Sequence, residues 1–127
     1  MRILSIALLA LGLAACSDNN NSVTIPLQSV PGDYNLVTIN GSQLPFTFSD
    51  GTTLKSDLLS LHDGGTFTET MVLADGQTFV DTGVYTVNNS SITITDETGG
   101  FTYSASLTGT VLTAIFPNGL TEVFHKK

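Results

Sequence analysis

The chain has 127 residues, which is the length of one domain rather than of several. Its eleven acidic residues outnumber four lysine and arginine residues, and the net charge of −7 argues against a nucleic-acid partner, whose phosphates require basic side chains. The single cysteine excludes an internal disulfide framework and a zinc or iron–sulfur centre built from several cysteines.

Residues 1–15 have the layout of a secretory signal peptide. Arg2 gives a positively charged start, Ile3–Leu13 is an apolar run, and small residues stand immediately before Cys16. A membrane-spanning helix needs about 20 apolar residues, whereas the polar residues that follow Cys16 end this run earlier. The pattern therefore predicts an export signal that is removed from the mature chain.

The segment Leu13-Ala14-Ala15-Cys16 resembles the lipobox of bacterial lipoproteins. That resemblance implies cleavage before Cys16, a diacylglyceryl thioether on its sulfur, and acylation of the new amino terminus by a chain such as palmitate. Several acyl chains anchor a protein stably where a single one does not. Ser17, instead of aspartate, in the next position implies sorting to the outer membrane in well-studied proteobacteria. We expect a lipid-anchored protein of the cell envelope, on the outer membrane and facing the periplasm or the cell surface; an ordinary signal peptide or a buried helix is the alternative.

Residues 16–31 are predicted to be the lipidated cysteine followed by a flexible tether. Asp18–Ser22 is polar and lacks periodicity, and two prolines further on exclude a helix. Alternate apolar residues from Val23 to Leu27 also fit an edge strand. After cleavage three lysines remain against eleven acids, 3 − 11 = −8, so anionic headgroups repel the domain and the lipid must hold it at the membrane.

Residues 32–127 are predicted to form an all-β domain. Turn signals recur at short intervals, and the strand between two of them, Phe101–Thr108, alternates apolar with small polar residues. Leu54–Leu61 also fits one face of a helix, but eight residues are too few for an autonomous helix, and a strand is favoured. Eight or nine antiparallel strands with short connections predict a closed up-and-down barrel, because open edges invite aggregation.

Several short motifs resemble small bacterial lipocalin-like domains. They are Gly32-Asp33-Tyr34 near the start, Asp63-Gly64-Gly65-Thr66-Phe67 and Gly83-Val84-Tyr85 in the middle, and Val123-Phe124-His125 at the end. The resemblance implies an eight-stranded barrel and suggests ligand binding. Lipocalins carry tryptophan where this chain has Tyr34, and they are longer, which implies a shallower cup.

The alternation of faces predicts an inward-facing set of large apolar and aromatic side chains. This set either lines a pocket for a small apolar ligand or forms an ordinary packed core. Its members are Tyr34, Leu36, Leu59, Leu61, Phe67, Met71, Phe79, Tyr85, Ile92, Ile94, Tyr103, Leu107, Leu112 and Phe124.

The Asp75-Gly76 turn leaves two hairpin registers open. A two-residue loop pairs Glu69 with Thr82, whereas a three-residue loop pairs Glu69 directly with Asp81. Two adjacent carboxylates are unfavourable unless a cation or a shared proton lies between them. In the second register this pair is therefore a candidate metal site or acid/base pair, although two solvated acids at splayed strand ends are the simpler interpretation.

No other pattern in the sequence indicates a catalytic, metal or cofactor site. His62 and His125 lie far apart without a metal-ligand pattern around them, and no cofactor motif is present. We expect a non-enzymatic envelope protein that binds a small apolar or amphipathic molecule or has a passive role. The alternative is a small-barrel protease inhibitor or another protein-interaction module, since Ser17–Pro31 is long enough to enter a partner's cleft.

Overall fold

The structure, a computed structural model, describes residues 29–89 and 91–127. The predicted signal peptide, Cys16 and most of the tether therefore lie outside the described residues. The strands are β1 (Gly32–Ile39), β2 (Ser42–Gln43), β3 (Phe46–Thr47), β4 (Thr53–Leu61), β5 (Thr66–Leu73), β6 (Thr78–Asn88), β7 (Ser91–Asp96), β8 (Phe101–Thr108), β9 (Val111–Ile115) and β10 (Thr121–Lys126). No helix in the described part is long and apolar enough to span a bilayer.

Eight of the strands close into an antiparallel up-and-down barrel. From β4 to β10 each strand pairs with its neighbour in the chain, and β1 pairs with both β10 and β4 to close the sheet. The two-residue strands β2 and β3 lie in the β1–β4 connection, where β2 pairs antiparallel with the end of β1 and β3 pairs antiparallel with the start of β4. The predicted all-β meander barrel is thus confirmed, with two short strands added to it.

Strand periodicity accounts for the core. In β8, Tyr103, Ala105 and Leu107 are buried, whereas the intervening Ser104 and Ser106 are exposed. The stretch Leu54–Leu61 lies in β4, as the strand interpretation predicted. Successive side chains of a strand point to opposite faces, so a period of two places apolar groups inside and hydroxyls outside.

A β-bulge in β4 resets which residues face inward. The register with β5 shifts between Leu54 and Ser56, so both Leu54 and Asp57 are buried although they are three residues apart. A bulge adds one residue to a strand and thereby exchanges its two faces. Beyond the bulge the inward series is Asp57, Leu59 and Leu61.

The two ends of the barrel differ in composition. At one end the Tyr34 hydroxyl donates to the Val30 carbonyl oxygen at 2.5 Å, and apolar side chains fill the interior. We call the other end, where β1 ends and β4 begins, the mouth. Half-buried apolar side chains surround it and pack against the core; we call them the rim. The rim consists of Leu44, Phe46, Phe48, Met71, Leu73, Phe116 and Leu120.

Candidate functional site

Acidic side chains occupy the interior of the barrel on the mouth side. Asp57 is 4% exposed, Glu69 6%, Asp96 1% and Glu122 7%, and Asp81 is partly exposed beside them. Charged carboxylates are almost never buried to this extent unless they are paired. The acidic layer is therefore the feature of this barrel that most needs a chemical explanation.

Local strand geometry turns each of the four most buried acids inward. Each stands two residues from a buried apolar side chain on the same strand, and therefore on the same face. The pairs are Asp57 with Leu59, Glu69 with Phe67, Asp96 with Ile94, and Glu122 with Phe124. Sequence reasoning missed Asp57, Asp96 and Glu122, although this spacing would have found them.

The β5–β6 hairpin has the three-residue loop. The Leu73 N–H donates to the Gln77 carbonyl oxygen at 2.8 Å, and Asp75 Oδ1 accepts from the Gln77 N–H at 2.9 Å. Glu69 consequently lies directly opposite Asp81, which is the second of the two registers that the sequence left open. The two carboxylates share the inner face of the sheet.

Three carboxylates converge inside the barrel. One oxygen each from Asp57, Glu69 and Glu122 lies within 4.8 Å of the other two, and we call this group the carboxylate triad. Asp57 Oδ1 is buried and has no hydrogen-bond partner. Asp96 differs, because its Oδ1 accepts from the backbone N–H groups of Thr98 at 2.8 Å and Gly99 at 2.9 Å. Asp96 thus stabilises a turn, whereas the triad lacks an equivalent set of donors.

Burial makes ionisation of the triad unfavourable. It raises the pKa of the Asp57 carboxyl, and the charges of Glu69 and Glu122 raise it further. Burial likewise raises the pKa of Glu69, against a hydrogen bond with Asp57 that lowers it. Burial and the charge of Glu69 raise the pKa of Glu122 to about 8. The pKa of Asp81 is also raised, by partial burial and then by the charge of Asp96.

The basic residues of the described ranges do not neutralise these acids. Lys55, His125 and Lys127 are exposed, and the exposed His62 ring contacts the Thr68 hydroxyl at 3.2 Å. The Lys126 ammonium donates to the Ser29 carbonyl oxygen at 2.7 Å, at the end opposite the mouth. Both histidines are accordingly at the surface, and no cationic side chain of the described residues pairs with the triad.

Aromatic rings lie next to the acidic layer. The Tyr103 ring stacks on Phe116, with centroids 4.3 Å apart and an interplanar angle of 22°, and Phe101 lies 6.1 Å from Phe116. Burial, followed by the charges of Glu69 and Glu122, raises the pKa of the Tyr103 hydroxyl. A phenol inside the mouth offers a neutral hydrogen-bonding group beside the carboxylates.

Most of the predicted inward-facing residues are buried. All except Met71 and Phe79 are at most 6% exposed and belong to one apolar cluster. Met71 is half-buried at the rim. Phe79 differs from the prediction, since it is 48% exposed. It pairs with Met71 of β5 on one side, but β7 ends at Asp96, opposite Gly83, so no strand covers its other side. Whether the buried set contacts a ligand stays a prediction.

Two surface grooves lie away from the triad. One, of about 500 Å³, lies between the 50–53 turn and the β5–β6 hairpin, and its walls include Asp50 and Asp75. The other, of about 620 Å³, lies at the end opposite the mouth and is lined by Pro31, Gly65 and Val87. The carboxylates that need an explanation belong to neither groove.

Comparison with known proteins supports the fold and leaves the site unassigned. No family model matches the chain, and no curated protein matches it. A crystal structure of an uncharacterized protein from Bacteroides eggerthii is similar, with a TM-score of 0.51 and 19% sequence identity, covering 76% of this chain and 98% of that protein. At this identity the similarity shows a shared barrel fold.

Proposed function

We propose that this chain is a lipid-anchored protein of the bacterial cell envelope whose barrel binds a small amphipathic molecule at its mouth. The observation that supports the proposal is the layering of the mouth, where an apolar rim surrounds a buried acidic floor. Ligand sites in proteins are mostly apolar walls with a few placed polar groups, and this arrangement matches that description.

The rim offers aromatic contacts to the apolar part of such a molecule. The rings of Phe46 and Phe48 lie 5.0 Å apart in an edge-to-face arrangement, and Phe116 stacks on Tyr103. Because Phe46 and Phe48 belong to the β1–β4 connection, the molecule would enter between this connection and the rest of the barrel. Its polar group would then reach the Tyr103 hydroxyl or the carboxylates beneath the rim.

The anchor rests on the amino-terminal sequence. The chain's only cysteine, Cys16, stands at the position that lipidation of a lipobox requires. A polar stretch separates it from Gly32, and about fifteen flexible residues have a typical reach of roughly 20 Å. The barrel would therefore stand just above the bilayer, where it could collect an amphipathic molecule from the membrane or release one to it.

Native mass spectrometry of the full lipidated chain, extracted from its own envelope in mild detergent, tests the ligand. We expect a reproducible adduct of constant mass. Substitution of the rim residue Phe48→Ser should reduce the adduct, whereas Val80→Ser, which alters an exposed side chain of β6, should retain it. Absence of an adduct in several preparations, or equal loss in both variants, would contradict the proposal.

A further inference from the structure

We propose that Asp57, Glu69 and Glu122 bind one divalent metal ion of the oxygen-preferring class, with calcium as the best fit, inside the barrel. This proposal does not rest on the amphipathic molecule proposed above, although the polar group of that molecule would reach Tyr103 or the same carboxylates. If the chain binds the metal ion and no organic molecule, the metal site is supported and the proposed amphipathic ligand is contradicted.

The spacing of the oxygens suits a calcium ion. The three carboxylate oxygens lie within 4.8 Å of one another. Two oxygens on opposite sides of a calcium ion, each at about 2.3–2.6 Å, lie at most about 4.6–5.2 Å apart, and oxygens that meet the ion at smaller angles lie closer together. The limit of 4.8 Å therefore places the three carboxylates on the scale of one ion's coordination sphere, so that small side-chain rotations, without movement of the strands, would bring their oxygens into contact with a single ion.

The donor set selects the class of metal. All three ligands are carboxylates, and neither histidine belongs to the cluster. Carboxylate oxygens suit calcium, magnesium and manganese, while zinc and copper favour imidazole or thiolate ligands. Calcium is also the ion that tolerates irregular geometry and accepts additional water ligands from the mouth.

A second observation points to a missing partner. Asp57 is 4% exposed, and its Oδ1 atom has no hydrogen-bond partner. The hydrogen bond between Asp57 and Glu69 uses one shared proton and leaves Asp57 Oδ1 without a partner. Since a carboxylate oxygen accepts, the partner that this atom lacks is a donor or a cation. The described lysines and histidines lie elsewhere. One metal ion would contact Asp57 and neutralise much of the charge of the other two acids at the same time.

The neighbouring acids have other roles. Asp96 already accepts two backbone N–H groups through Oδ1, and Asp81 is partly exposed at the mouth side of the layer. Strand closure explains why the site consists of Asp57, Glu69 and Glu122. β1 pairs with both β4 and β10, so the acids of β4 and β10 face each other across a single strand, with Glu69 on the next strand, β5.

Equilibrium dialysis of the full chain against calcium, with the bound metal measured by elemental mass spectrometry, tests the site. We expect about one ion per chain. Loss of a direct ligand should cost at least the 10–100-fold in affinity that loss of an outer hydrogen-bonding partner typically costs. Asp57→Asn and Glu122→Gln should therefore weaken calcium binding by about that factor or more. Glu97→Gln removes one exposed acid and serves as the matched control.

Terbium luminescence independently tests whether the bound ion lies next to Tyr103. The chain has no tryptophan, so its three tyrosines are the donors for energy transfer to a bound terbium ion, and Tyr103 lies beside the triad. We expect terbium emission on tyrosine excitation, displacement by calcium, and a reduced signal in Tyr103→Phe with calcium affinity retained. Magnesium and zinc should displace terbium at higher concentrations than calcium.

The outcomes decide the proposal in either direction. Wild-type chain without a bound ion, or equal affinity in wild type, Asp57→Asn and Glu122→Gln, would overturn it. The same loss in Glu97→Gln as in the triad variants would assign binding to general surface charge and also overturn it. Circular dichroism shows whether the variants keep their β-structure, and if neither folds, wild-type stoichiometry and the terbium signal decide.

Discussion

The stability of the metal-free barrel should fall as the pH rises, and Glu122 shows why. Burial raises the pKa of this carboxyl to about 8 in the folded chain, from an ordinary value of 4.5. Below pH 4.5 the carboxyl is neutral in both states and its contribution to stability is fully present. Between 4.5 and 8 the unfolded chain releases the proton and the folded chain retains it, so stability is lost progressively.

The size of the effect follows from the difference in bound protons. One such proton changes the free energy of unfolding by about 1.4 kcal/mol per pH unit, so Glu122 alone accounts for about 3 kcal/mol between pH 5 and 7. Asp57 and Glu69 shift in the same direction and add to this loss. Because domains are stable by about 5–15 kcal/mol in total, the metal-free barrel should be markedly weaker at pH 7 than at pH 5.

Thermal unfolding followed by circular dichroism, in the presence of a chelator, measures this. A loss of 1 kcal/mol lowers the Tm of a domain this size by roughly 4–8 °C, so the loss from Glu122 alone predicts a fall of roughly 12–24 °C from pH 5 to pH 7. Glu122→Gln cannot ionise and should show a shallower decline, whereas the exposed control Glu97→Gln should keep the full decline. A Tm that is constant or rises over this range, or equal slopes in the two variants, would refute the reasoning.

Three further predictions concern the anchor and the core. Cys16→Ser should abolish labelling by radioactive palmitate and move the protein from the membrane fraction to the soluble fraction. Phe124→Ala, which empties a fully buried site, should lower the free energy of unfolding in urea by about 3–5 kcal/mol, whereas the exposed Phe79→Ala should change it far less. Gly83→Ala should destabilise the barrel severely, seen as loss of the β-sheet signal in circular dichroism, because a Cβ there would lie 2.0 Å from the Thr95 carbonyl oxygen, and backbone cannot move aside as a side chain can.

The fold could be predicted from the sequence because the patterns that indicate strands and turns are local. Alternation in β8 and the turn residues between strands depend only on neighbours in the chain, and they predicted the meander correctly. The same alternation also predicts that the acidic side chains face inward, since Asp57 lies two residues before the buried Leu59 and Glu122 lies two residues before the buried Phe124. Phe79 shows the limit of this rule: alternation gives the face of a strand, but burial also requires strands on both sides, and β5 alone pairs with this end of β6.

What the sequence by itself determined is therefore the all-β class, the order of the strands and, within an unbroken strand, the alternation of its faces. The tertiary structure decided the β5–β6 register, which placed Glu69 opposite Asp81, and the β4 bulge, which lets Leu54 and Asp57 share the interior. It also decided that β4, β5 and β10 bring three carboxylates within 4.8 Å. The physical reason is that a strand's face follows from its own period of two, whereas proximity across the barrel follows from how distant strands pair when the sheet closes.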